Sequence, residues 1–392
     1  MGYFKLGYSC TDDGRYVPAS RRCVPGAALF LFIVGALACL ILTTHTMTIA
    51  MQQRKVGNTD VHITTLGFGG NVLGNLYAAV PDDVAKDTVL AAQQSGVNYF
   101  DTAPLYGHGL SERRLGDALR ALPRESIVLS SKVGRLLKPH GRVPPAKLKP
   151  SEGGIFVDEL PFAPQFDFSY SATMRSFEDS LQRLGMNRID LLLIHDCDEW
   201  SQGENYRTAL KTVETGALKA LQELKSAGVI GGYGAGVNQF EACEDLMDLG
   251  PFDCFLLAGR YTLLEQGALD SFLPRCVKEG VSVILGAPFN SGILVTGATP
   301  DARYNYLPAT AEIKSKVAKI EQICAAHQVP LAAAALQFVL GHPSVATVIP
   351  GAKSRAEAEQ NARWMTLPIP AALWDELKAA GLVRTDAPTH AV

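Results

Sequence analysis

From Lys55 onward, short apolar runs alternate with longer segments whose apolar positions recur every three or four residues. The runs lie at 65–68, 98–101, 127–131, 190–194, 231–236, 253–257, 281–285 and 346–349. Segments with helical spacing lie at 82–95, 111–121, 171–184, 214–227, 239–249, 267–279, 311–327 and 354–361. In 171–184, Met174, Phe177, Leu181 and Leu184 step by three, four and three, which puts them on one face of a helix. Strand and helix in alternation imply parallel strands joined by crossovers. Eight such units fit a (β/α)₈ TIM barrel. A doubly wound open sheet would carry a G-x-G-x-x-G turn after a strand, and no such spacing occurs. Ahead of the first run, 54–56 and 61–63 flank Gly57-Asn58-Thr59-Asp60, which reads as a small hairpin plugging the barrel floor.

One connection is longer than a compact domain needs. About forty residues separate Ser131 from Ser171, with Pro139, Pro144, Pro145, Pro150, Pro161 and Pro164 among them. A loop of this length is usually functional or mobile. It follows the third strand, so it belongs to the face where barrels carry their active sites. The expected fold is α/β: a TIM barrel with an N-terminal β-hairpin and a long loop after strand 3.

The first fifty residues break the pattern. Residues 26–42 are all apolar or Gly, just long enough to cross a bilayer. Lys5, Arg15, Arg21 and Arg22 precede them, so the positive-inside rule would send the remainder of the chain across the membrane. The regular alternation of runs and helical segments begins only after this stretch, at Lys55. Residues 1–50 are therefore read as an extension outside the fold, and 51–392 as one barrel domain in the cytoplasm with no membrane contact.

Composition narrows the partners. Lys plus Arg number 36 and Asp plus Glu 39, a net charge of −3. No basic excess is present to neutralise a phosphate backbone, which argues against nucleic acid. The eight cysteines form no C-x-x-C pair, so neither a metal site nor a disulfide framework is expected. A small-molecule substrate is the expected partner.

Polar residues collect where the early strands end. Asp101 and Tyr106 follow the second run (FDTAPLYG), Lys132 the third (LSSKVG) and His195 the fourth (LLLIHD). In a barrel these ends converge on one cavity. Taken singly, each has an ordinary structural use, from a helix cap to a buried histidine. Taken together they read as a catalytic set. A phenol titrates near pH 10, so moving a proton close to neutrality needs a lowered pKa. Lys132 would stabilise the phenolate of Tyr106, and Asp101 would keep Lys132 charged and oriented. His195 would hydrogen-bond the reacting oxygen and hold the substrate in line.

This arrangement resembles the aldo-keto reductase superfamily. The matching motifs are FDTAPLYG (100–107), SSKVG (130–134), DLLLIHD (190–196) and VIPGAKSRAEAEQN (348–361). The resemblance covers Lys55 to about Leu382. It implies a TIM barrel, a nicotinamide cofactor bound extended without a Rossmann domain, and the roles given above to Asp101, Tyr106, Lys132 and His195. LGFGGNVLGNLY, GLSERRLGDALR, SSKVGRLLKP and AGRYTLLEQ are similar to one branch, the bacterial D-threo-aldose 1-dehydrogenases and related pyridoxal dehydrogenases. That branch implies oxidation of a sugar at C1 to a lactone, or of a related small alcohol. NADPH-dependent carbonyl reduction is the alternative on the same scaffold. A membrane-tethered cofactor-binding regulatory subunit is the alternative from another class, and the complete Asp-Tyr-Lys-His set argues against it.

The resemblance also implies cofactor contacts from Gly70, Asp101, Asn238, Pro288, Gly351, Lys353, Ser354, Glu357 and Asn361. Two departures matter. Val237 stands where the superfamily usually has Ser, which leaves Asn238 to bind the carboxamide. Gly286 stands where most members stack an aromatic ring on the nicotinamide, so Tyr261 or Phe289 is expected to cover it. Seven positions beyond Pro350, where NADP-preferring members commonly carry a base, stands Glu357. A carboxylate accepts from a free ribose hydroxyl and repels a 2′-phosphate. NAD is therefore expected over NADP, with Lys353 and Arg355 as the counterweight.

Overall fold

The eight apolar runs form eight parallel strands, paired in chain order, in a computed structural model that describes residues 8–10, 16–18, 51–141 and 154–389. They are β1 (Phe68–Gly69), β2 (Tyr99–Asp101), β3 (Val128–Val133), β4 (Leu191–His195), β5 (Gly232–Val237), β6 (Cys254–Ala258), β7 (Ser282–Gly286) and β8 (Val345–Ile349). The ring closes between β8 and the residues around β1. Val348 N donates to Thr65 O at 3.0 Å, and Gly67 N to Val348 O at 2.9 Å. The run at 65–68 thus divides: its first residues seal the barrel against β8, and Phe68 with Gly69 pairs with β2.

The strands are apolar on both faces because both faces are buried, the usual state of a parallel sheet. Alternate residues sort into two separate cores. Leu191, Leu193, Cys254, Leu256 and Ile284 fill the barrel interior. Leu192, Ile194, Phe255, Leu257 and Leu285 pack outward beneath the helices. The helix Tyr170–Leu184 shows how the sequence sets an outer element. Ser169 Oγ caps its start by accepting from Ala172 N, and Gly185, at φ +61, ends it. Phe177 and Leu184 are buried as their spacing requires, with Met174 and Leu181 half-buried beside them.

The floor hairpin forms as expected, with Gln53–Lys55 antiparallel to His62–Thr64. Val56 and Ile63 are fully buried in the barrel interior. A correction concerns the long connection after β3. Its two ends are strands: Arg135–Pro139 pairs antiparallel with Phe162–Phe166. Pro139 and Pro164 hide this hairpin from a sequence reading, because proline signals an edge or no strand at all. Among the described residues, two helices of eight residues or more also escape the periodicity. Leu331–Phe338 is apolar but for Gln337 and almost wholly buried, so it has no polar face to reveal a period. Ala371–Ala379 lies beyond the last expected helix.

The chain divides into two units, Met1–Thr48 and Ile49–Val392. In the first, Tyr8–Cys10 pairs antiparallel with Tyr16–Pro18. The apolar segment 26–42 lies outside the described residues. Among those described, no single helix is long and apolar enough to cross a membrane.

Candidate active site

A cavity opens at the C-terminal ends of the strands, and Asp101, Tyr106, Lys132 and His195 all line it. Each is placed by backbone that the barrel fixes. Asp101 ends β2, Lys132 sits in β3 and His195 ends β4. Tyr106 lies on the turn after β2, where Gly74 and Gly107 let two backbone segments touch. A Cβ at Gly74 would meet Tyr106 C at 2.5 Å, and Gly107 has φ +61.

Lys132 is a buried ammonium that donates to three oxygens of two residues. Its Nζ donates to Asp101 Oδ2 at 2.7 Å, Asp101 Oδ1 at 2.9 Å and Thr102 O at 2.9 Å. Lys132 is 1% exposed and Asp101 2%, so the pair stands out of water. Ser130 Oγ donates to Asp101 Oδ1 at 2.7 Å, and Tyr99 and Ser130 share a 2.8 Å bond below it. Lys132 Nζ lies 4.7 Å from the centre of the Tyr106 ring. The His195 ring stands edge-on to that phenol, 5.7 Å between centres at 86°.

The electrostatics correct one expectation. Burial pushes the Tyr106 phenol well up, Asp101 and Asp196 add to it, and Arg135 opposes. Lys132 does not bring the phenol down, because its charge is matched by Asp101 at contact. Burial also pushes His195 well down, helped by Lys132 and Arg135. The resting site therefore holds a protonated phenol beside a neutral imidazole.

The cofactor candidates divide. Gly70, Asn238 and Gly351 line the cavity. A Cβ at Gly70 would strike Asp101 O at 2.4 Å, and one at Gly351 would meet Val72 Cγ1 at 2.7 Å. A side chain at either position would collide with neighbouring protein, so bare backbone forms this part of the cavity wall. Asn361 is buried and its Nδ2 donates to Gly351 O at 3.4 Å. Asn238 Nδ2 donates to Asp196 Oδ1 at 3.3 Å and Asp198 Oδ2 at 3.4 Å.

Tyr261 does not reach the cavity. It is fully buried and packs on Phe338 and His342. Phe289 turns edge-on to Trp364, and Pro288 before it is buried; neither lines the cavity, whereas Gly286 and Ala287 do. The aromatic wall comes instead from Tyr306 and Trp200, stacked 5.8 Å apart at 17°. Tyr306 sits at the tip of a hairpin, Arg303–Tyr304 against Leu307–Pro308, that no sequence signal marked. The lining residues Asp196, Trp200 and Tyr306 thus escaped the sequence reading, as did Arg135, which stands behind Asp196. Arg135 and Asp196 lay inside motifs already recognised, but nothing local says that they meet.

At the start of the helix Arg355–Thr366, Ser354 Oγ accepts from Glu357 N, and Glu357 Oε2 accepts from Lys353 N at 2.8 Å. Arg355 is turned toward the helix Asp82–Gln94, where Asp87 Oδ2 accepts from its Nε at 2.9 Å.

The family model for the aldo/keto reductase family matches residues 65–381. The chain belongs to this family of oxidoreductases, which use nicotinamide cofactors. It is 40% identical to pyridoxal 4-dehydrogenase from Microbacterium luteolum, over 85% of this chain and 98% of that one. It is 38% identical to D-threo-aldose 1-dehydrogenase from a Pseudomonas species, over 82% and 95%. A holo-form aldo-keto reductase from Bacillus halodurans shares the fold, with a TM-score of 0.66 at 24% identity over 87% and 98%.

Proposed function

We propose that this chain is an NAD-dependent dehydrogenase that oxidises an aldose at C1 to the lactone. The observation that carries it is the buried cluster of Tyr106, Lys132, Asp101 and His195 at the mouth of a family-typical barrel. The likeness to an aldose 1-dehydrogenase supplies the substrate class. The cofactor, when bound, accepts the hydride that leaves C1.

The residues do the rest. Tyr106 takes the proton of the C1 hydroxyl as the carbon–oxygen bond gains double-bond character. Lys132 stands beside the phenol and balances the Asp101 charge that would otherwise oppose the phenolate, and Asp101 and Thr102 O fix that ammonium in place. His195, neutral, hydrogen-bonds the reacting oxygen and aligns it. Gly70, Asn238, Gly351 and Asn361 hold the cofactor, and burial keeps water from the exchange. The setting is the cytoplasm, where nicotinamide cofactors are kept.

The preference for NAD rests on two side chains. Glu357 presents a carboxylate at the helix start, and Arg355 is held on Asp87 rather than offered to a phosphate. A second reading, pyridoxal oxidation, is favoured by the 40% identity to a pyridoxal dehydrogenase. A panel of aldoses, pyridoxal and simple aldehydes, each with NAD and NADP in both directions, tests the assignment. Aldose oxidation with NAD supports it; turnover of pyridoxal alone favours the second reading. Glu357→Arg should shift preference toward NADP, with Glu357→Gln, which keeps a cap acceptor, as the control.

A further inference from the structure

The cavity holds a second ion pair that the reaction does not use. Asp196 directly follows His195 and lines the cavity with its backbone at φ +53. A non-glycine residue in the left-handed region is held there against a steric cost, and such positions concentrate at functional sites. Its Oδ2 accepts from Arg135 Nη2 at 2.7 Å and lies 3.6 Å from His195 Nε2, beyond a hydrogen bond. Arg135 is 3% exposed and lies flat on Phe166, 3.8 Å from the ring centre. Phe166 is its partner across the hairpin. The carboxylate is thus aimed, and its counter-ion is clamped.

Charge balance says what it can read. Lys132 is the only cation among the described residues that line the cavity, and Asp101 matches it at contact. Arg135, behind the wall, is matched by Asp196. Among the described lining residues an anionic substrate would meet no spare cation, and it would face the Asp196 carboxylate. A neutral molecule rich in hydroxyls meets an acceptor with about four lone-pair sites, of which Arg135 and Asn238 engage two. The opposite need of a sugar ring, a surface for its C–H faces, is met by the Trp200–Tyr306 stack. The tip residue Tyr306 is itself held at φ +68.

We infer that Asp196, braced by Arg135, is the specificity-determining group that reads substrate hydroxyls, so that the site takes uncharged polyols and rejects their phosphates. This rests on the proposed function for the location of the reacting carbon, and its test is chosen to stand apart. Erythrose and butanal have the same carbon chain and differ in hydroxyls. The ratio of their kcat/KM values in the reductive direction, with NADH, measures hydroxyl reading whether or not the enzyme oxidises aldoses. Asp196→Asn keeps the shape and suits the left-handed backbone. It should lower that ratio about 10- to 100-fold, the worth of a hydrogen bond to a charged group, chiefly through KM for erythrose. Arg135→Lys, which keeps the charge, should recover part of what Arg135→Met loses. Wild type should turn over erythrose 4-phosphate at least about tenfold less well than erythrose, since a desolvated like charge is strongly disfavoured. An unchanged ratio in Asp196→Asn, or equal use of the phosphate by wild type, overturns the inference. Failure to oxidise any aldose would instead overturn the proposed function and leave this ratio to be read on its own.

Discussion

The two ends of the barrel use the same residue types for opposite purposes. At the floor, carboxylates are saturated by structure. Asp190, just before β4, accepts from Leu129 N at 2.7 Å, Arg124 at 2.7 Å and Arg188 at 2.9 Å. Asp253, just before β6, accepts from Tyr233 N at 3.0 Å and Lys225 at 2.6 Å. Each ties neighbouring strands together, and Gly57 N closes the floor hairpin onto Ser282 Oγ at 2.7 Å. At the mouth, Asp101 and Asp196 are paired but still face a cavity. Strain divides the same way. Apart from Gln328, the described non-glycine residues with positive φ, among them Tyr77, His108, Asp196, Ala287 and Tyr306, lie in loops that follow strands. The floor supplies stability, and the mouth draws on it to hold unfavourable backbone and buried charge where chemistry needs them.

The division between the two ends is most exposed to test at Tyr106. Tyr106→Phe should cut turnover about 10²–10⁴-fold, the usual contribution of a general acid–base group, while Tm and NADH binding stay near wild type. Near-normal turnover would remove the proton-transfer role. The mirror experiment is at the floor. Asp253→Ala strands a buried backbone N–H and unpairs Lys225, and should cost about 2 kcal/mol of stability with kcat unchanged. Denaturant unfolding and steady-state kinetics on one preparation read both. A loss of kcat matching the loss of stability would mean that the two ends are not separable.

The pH profile probes the mouth alone. Burial first, then Asp101 and Asp196, push the Tyr106 phenol up. Oxidation needs this group deprotonated, so its rate should rise with pH from neutrality upward, by up to about tenfold per pH unit. Reduction needs it protonated and should fall only on the alkaline side. An oxidation rate that is flat from pH 7 to 9 would show that the phenol is not the base. The smallest effect is expected outside the barrel. The unit Ile49–Val392 contains the floor, the mouth and every proposed site residue. A chain starting at Met51 should therefore keep both Tm and kcat, and loss of either would tie residues 1–50 to the barrel.

Much of this was legible before any coordinates. The runs that became β4, β6 and β7 hold unbroken apolar stretches (LLLI, CFLL and VIL), which is what burial on both faces demands, and eight runs in alternation with helices admit few topologies. Asp101, Lys132 and His195 were found because they end those strands, and Tyr106 because it follows one by five residues. What the sequence could not carry is anything decided between elements. Tyr261 looked available to a cofactor, yet closure of the outer layer buries it against Phe338. Lys132 looked free to lower a phenol, yet contact with Asp101 cancels its charge there. Arg135 and Asp196 are 61 residues apart and Trp200 meets Tyr306 from another loop. Periodicity and capping are local and repeat along the chain, so a sequence displays them. Which side chains share one cavity, and which charges cancel, is fixed only when the barrel closes and water leaves.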